Sequence, residues 1–131
     1  MTRWIVGTGL FLMAFTAARG QDASAADTPL QPSYYTCVKA ARGVTLALNN
    51  CIGNEHDYQD KRLNAAYQRL RKGLGPDQRT ALRDEERAWI AQRDKACAPD
   101  DGGGTASLLD TNQCQLDQTA ARAAVLEGRL K

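Results

Sequence analysis

The segment RAWIAQRDKAC, Arg87 to Cys97, sets an indole, a guanidinium, a carboxylate and a thiol at helical spacing. Trp89 comes first, Arg93 and Asp94 follow one turn later, and Cys97 follows one turn after that. Such a set could support acid–base or thiol chemistry, or it could pin a helix end into a small fold. Acid–base catalysis needs a tuned pair of groups in a pocket, and nucleophilic catalysis needs a base beside a Ser, Cys or Lys. The rest of the sequence supplies neither. The single histidine, His56, falls near an expected helix start and outside the apolar stripe, so exposure is expected. Asp84-Glu85-Glu86 reads as a solvated charge run. The sequence holds no HExxH, GxSxG, phosphate loop or clustered metal ligands. The segment is therefore expected to be scaffold in a protein that is not an enzyme and carries no cofactor or metal.

The thiols point the same way once the chain's start is considered. Arg3 is followed by a 12-residue apolar run, Trp4 to Phe15, and then by small and polar residues. That is the build of a secretory signal peptide, with Ala23-Ser24-Ala25 as the cleavage pattern and Ala18-Arg19-Gly20 as a second. The run is too short to span a bilayer, which takes about 20 residues. Residues 1–25 are thus expected to be the leader, residues 26–33 a flexible lead-in, and residues 34–131 one small domain with no membrane span. Cys37, Cys51, Cys97 and Cys114 all fall in the exported part, where an even count reads as two disulfides. Their spacings of 14, 46 and 17 residues lack the close pairs of a thiolate zinc site. With 17 basic and 15 acidic residues, the chain has no basic excess of the kind that binds nucleic acid.

Helices must position these groups. Val38, Ala41, Val44 and Leu48 suggest a short helix ending near Asn49-Asn50. Asn54 reads as the cap of a second, whose stripe is Leu63, Tyr67, Leu70 and Leu74. Gly73, Gly75 and Pro76 stop that helix and start another running to about Cys97, with Leu82, Trp89, Ile90 and Ala96 as buried candidates. Ala98–Gly104 breaks the chain again, and a last helix opens between Ser107 and Gln113. No strand pattern appears. The expected fold is an all-α bundle of three to four helices, stapled by disulfides and built on a long antiparallel hairpin.

The tight Gly73–Pro76 turn makes its two helices antiparallel, so residues equally far from it should be neighbours. Cys51 then comes level with Cys97, and all four cysteines gather at the pole opposite the turn. Two pairings fit one pole: Cys37–Cys51 with Cys97–Cys114, or Cys51–Cys97 with Cys37–Cys114. Arg93, on the inward side with Trp89, needs a carboxylate. Asp60 on the facing helix is expected to supply it, with Asp57 as the substitute.

YYTCVKA, Cys51-Ile52, Asp60-x-x-Leu63-Asn64-x-x-Tyr67, Trp89-Ile90-x-x-Arg93-Asp94-x-x-Cys97, and Cys114 with Arg122 and Leu126 form a combination in fixed order. This combination resembles the lysozyme-inhibitor LprI-like N-terminal domain family of bacterial exported proteins. The resemblance covers Tyr34 to Leu130. It implies a disulfide-bonded helical domain in the periplasm or secreted, and inhibition of lysozyme as the named activity. Similar members carry their last two cysteines closer together, which implies the pairing Cys37–Cys51 and Cys97–Cys114. The longer Ala98–Gln113 stretch departs from that pattern. The function expected is binding to another protein, a lysozyme or other cell-wall hydrolase. Asp100, Asp101, Gly102, Gly103 and Gly104 would be the contact loop, its aspartates meeting a basic partner and its glycines permitting close backbone approach. The alternative is an envelope structural, stress or immunity accessory protein with a different protein partner. A wall-active enzyme would instead need a deep pocket holding two carboxylates.

Overall fold

A computed structural model describes residues 28–131; the expected leader, and Ala26 and Asp27 of the lead-in, lie outside the described residues. Four helices follow in order: α1 (Pro32–Ala41), α2 (Thr45–Lys72), α3 (Pro76–Ala96) and α4 (Gly104–Gly128). The described residues contain no strand, and two disulfides tie the helices, so the fold is the small all-α bundle expected.

The helix boundaries depart from the sequence reading at the amino-terminal side. α1 begins at Pro32, a residue suited to a first turn because its missing N–H has no helical partner there. The break expected near Asn50 lies earlier, at Arg42-Gly43, where both residues take positive φ. From Thr45 onward α2 is continuous, and Asn54 sits inside it without capping anything. α4 likewise starts earlier than expected, at Gly104. The α2–α3 turn is as read. Pro76 opens α3, Asp77 stands in its first turn, and the Gln78 side chain accepts the Gly75 N–H at 3.2 Å. Arg79 closes the other side, donating from Nε to the carbonyls of Arg71 (3.0 Å) at the end of α2 and Leu74 (2.8 Å) in the turn.

Two successive reversals make α4 parallel to α2, and side-chain bonds fix their register. Asn112 donates to Asn49 at 3.0 Å, Thr119 lies 3.3 Å from His56, and Arg62 bonds Glu127. Residue i of α2 thus meets about i + 63 of α4. Against α3, α4 runs antiparallel, with Cys97 bonded to Cys114 at one end and Glu86 to Arg122 further along. α2 and α4 form the principal interface. Ala66, Ala120 and Ala123 on its inner faces are almost fully buried and let the axes approach. Leu63, Ala66, Ala123 and Leu126 make the core cluster, with Tyr67, Leu70, Trp89 and Leu130 packed around it. Because α4 has neighbours on several sides, Gln113 to Ala124 contains only two charged residues, Asp117 and Arg122.

This arrangement corrects two expectations. Residues of α2 and α3 equally far from the turn do not pair, because α4 occupies the inner face of α2. Ile90 and Ala96, both expected inside, are exposed, Ile90 by 42%; Trp89 takes the inward position.

Candidate functional site

Both bridges lie at the pole opposite the α2–α3 turn. Cys37 is bonded to Cys51, fastening α1 to α2, and Cys97 to Cys114, fastening α3 to α4. Cys51 and Cys114 are themselves 63 residues apart and so stand level on the parallel pair. Among the described residues no cysteine is free.

The residues that carry the family resemblance divide by environment. Leu63 is buried, and Tyr67 and Trp89 pack on the core cluster. Arg93 does not reach Asp60. Its guanidinium lies over the Trp89 ring at 5.1 Å and binds Asp94, its neighbour in sequence, at 2.8 Å. Asp60 is exposed and accepts from Asn64 Nδ2 at 2.9 Å on its own helix. The inward face of Trp89 meets a second cation, Arg122, at 5.9 Å. Leu63, Tyr67 and Trp89 thus contribute to the core, whereas Asp60, Asn64 and Asp94 are exposed and bond within their own helices.

Two polar networks were not visible as such in the sequence. Glu86, which seemed part of a solvated run, is 8% exposed and accepts from Arg122 Nε at 2.9 Å; Glu85 accepts from both Arg122 (2.6 Å) and Arg129 (2.8 Å). Burial opposes ionisation of Glu85, but the Arg122 hydrogen bond and the charges of Arg129 and Arg122 outweigh it and hold the carboxyl below its usual range. The signal was the spacing Leu82, Glu86, Trp89, Arg93, which puts Glu86 on the inward stripe. On α2, buried Glu55 accepts the Gln31 N–H at 3.0 Å and Gln59 Nε2 at 2.7 Å, and Gln59 in turn accepts from Arg62. Glu55 therefore anchors the entry to α1. Where α1 crosses α4, Tyr34 donates to Gln113 at 2.6 Å and Gln113 donates to Asp117 at 2.9 Å. Burial raises the Asp117 carboxyl above its ordinary value, against a smaller opposite pull from Gln113.

Open grooves line the bundle. One of about 230 Å³ between α2 and α4 is lined by Asn49, His56, Asp57, Asn112 and Gln115, so His56 is half-buried rather than exposed. A smaller one beside the Cys97–Cys114 bridge carries two carboxylates, Asp100 and Asp110. Both are exposed. Among the described residues no three His, Cys, Asp or Glu side chains gather to hold a metal, and no helix is long and apolar enough to cross a membrane.

Two links project at the cysteine pole. The α3–α4 link contains Asp100 to Gly104, all exposed. It is braced: the Asp100 N–H donates to Ser107 Oγ at 2.8 Å, and the Gly103 N–H to the Asp100 carbonyl at 3.1 Å. Gly102 and Gly104 take positive φ, and a Cβ on Gly103 would overlap the Ser107 side chain. The α1–α2 link, Arg42 to Val44, is the other.

Fold and bridges define a small helical domain stapled at one end, with two of its three links exposed there. The family model described as Lysozyme inhibitor LprI matches residues 37–126, and the chain belongs to that family. No curated protein and no solved structure matches it.

Proposed function

We propose that the protein is an exported inhibitor, periplasmic or secreted, that binds a lysozyme-type cell-wall hydrolase and blocks it by occupying its surface. Membership of the family supports this reading, and the leader pattern with paired cysteines supports export. One structural observation carries it: both disulfides and both projecting links share one pole. A surface fixed before binding loses little conformational freedom on association, which favours a tight blocking complex. Asp100 and Asp101 on the braced link are offered as contacts to the basic surface of such a partner, with Gly102, Gly103 and Gly104 allowing close approach. The test is clearance of a bacterial wall suspension by lysozyme during titration with the oxidised protein. Activity should fall to zero near equimolar inhibitor. Unchanged clearance at large excess, with no complex by gel filtration, refutes the reading.

A further inference from the structure

The corner between α1 and α2 is built in a way that joining two helices does not require. Arg42 caps α1 in the left-handed region, at φ 48° and ψ 37°, and Gly43 follows at φ 79°. Helix ends of this kind ordinarily place glycine at the left-handed position, because a side chain there crowds its own backbone. A glycine is adjacent, yet the cap is arginine, and it is the one non-glycine residue with positive φ among the described residues. Strain of this sort persists where surrounding structure enforces it, and such places cluster at functional sites. The enforcement is visible. Val44 N–H donates to the Ala41 carbonyl at 2.9 Å, Leu48 N–H to the Val44 carbonyl at 2.9 Å, and the Cys37–Cys51 bridge closes the ring behind the corner.

The corner is also open. Arg42 is exposed, a Cβ on Gly43 would meet nothing, and Val44 and Leu46 are 58% and 72% exposed. Among the described residues Arg42 forms no ion pair, as is also true of Arg69, Arg71, Arg79 and Arg87, but those four lie within α2 and α3 and not on a link at the stapled pole. A cation carried on a fixed backbone and flanked by two bare aliphatic side chains fits a cleft with an acidic floor and apolar walls. Enzymes that cut wall glycan have such a floor, since their chemistry uses two carboxylates flanking the scissile bond. A guanidinium is the side chain best matched to carboxylates. Asp100 and Asp101, at the same pole, would be repelled by that floor.

We infer that the Arg42–Leu46 corner is the inhibitory element, its guanidinium entering the hydrolase's catalytic cleft to pair with the carboxylates while Val44 and Leu46 pack on the cleft walls. This rests on the inhibitor reading, and the experiment separates the two. Inhibition constants are measured against a lysozyme for the wild type, Arg42→Gly, and Arg69→Ala on the far half of α2. Arg42→Gly removes the cation while easing the backbone, so its melting temperature should be unchanged or higher. Its inhibition constant should rise at least about tenfold, the scale of an arginine anchor, with Arg69→Ala unaffected. Chitotriose bound in the cleft should compete with the wild-type protein. Equal potency of Arg42→Gly and wild type, or simultaneous binding of chitotriose and inhibitor, overturns the inference and leaves the inhibitor reading standing. A wild type that inhibits no lysozyme overturns both.

Discussion

Arg122→Ala should be among the costliest single truncations in this protein. The Arg122 side chain is 12% exposed and serves two carboxylates, one of them on the Glu86 side chain, which is 11% exposed. It also covers one side of Trp89. Truncation strands Glu86 with no cation. Breaking a buried pair from one side costs about 3–5 kcal/mol, and the residual exposure of both partners places the expectation near about 3. At about 4–8 °C per kcal/mol for a domain of this size, the melting temperature should drop by about 12–24 °C, read by far-ultraviolet circular dichroism at neutral pH. Glu86→Leu combined with Arg122→Met should recover most of the loss, because well-packed apolar groups can replace a buried pair. The acid limb gives a second reading. Glu85 has its carboxyl held below the ordinary range, so its contribution is present above the unfolded carboxylate value and is lost as pH falls through the lowered folded value. Arg122→Ala should therefore also flatten the fall in stability with acid. A drop under about 5 °C would mean the pair is effectively solvated. Failure of the double variant to recover would mean that Arg122 acts through its packing on Trp89.

Gly103→Ala should lose about 1–3 kcal/mol in urea titration, since the new methyl overlaps Ser107 at the first turn of α4; an unchanged midpoint would show the braced link to be slack. Asp117→Asn should raise stability at neutral pH and not in acid. The folded carboxyl value is raised, so the ionised form is the disfavoured one, and a loss at neutral pH would contradict this. Cys97→Ser with Cys114→Ser should cost roughly 2–4 kcal/mol while leaving α-helical content intact. Asp60→Asn and Arg93→Gln should be additive in a double-mutant cycle, because each side chain pairs within its own helix; coupling above about 0.5 kcal/mol would restore the bridge between helices.

What could be read from sequence followed from period and punctuation. Gly73, Gly75 and Pro76 fix the reversal between α2 and α3, and Leu63, Tyr67 and Trp89 fall on the faces that are buried. Asp60 and Arg93 do not meet, because α2 and α3 are not a pair alone. Proximity along the chain makes α2 and α3 antiparallel, but the helix that covers α2 is the one with small residues on its inner face, and that is α4. Nothing local in α2 announces the offset of about 63 residues, since it depends on where a distant loop lets α4 begin. The missed break at Arg42 has the opposite character. It is local, set by two consecutive residues of positive φ, but the helix cap is Arg42 and not the glycine after it, and an arginine carries no sequence signal for a left-handed turn.

The distribution of motif residues along the bundle bears on how function can vary. Leu63, Tyr67, Trp89, Arg122 and Leu126 close the half of the bundle nearer the α2–α3 turn, where Arg122 and Arg93 lie against the tryptophan. Arg42–Leu46 and Asp100–Gly104 lie at the stapled end, outside those residues, and each is fastened by its own disulfide and hydrogen bonds. Substitutions of the exposed side chains in either link can therefore alter what the pole presents without loosening the core, Gly103 excepted because it packs on Ser107. The tryptophan motif thus belongs to the frame; on the proposed reading of the Arg42–Leu46 corner, affinity for a given hydrolase should track the side chains at positions 42, 44 and 46.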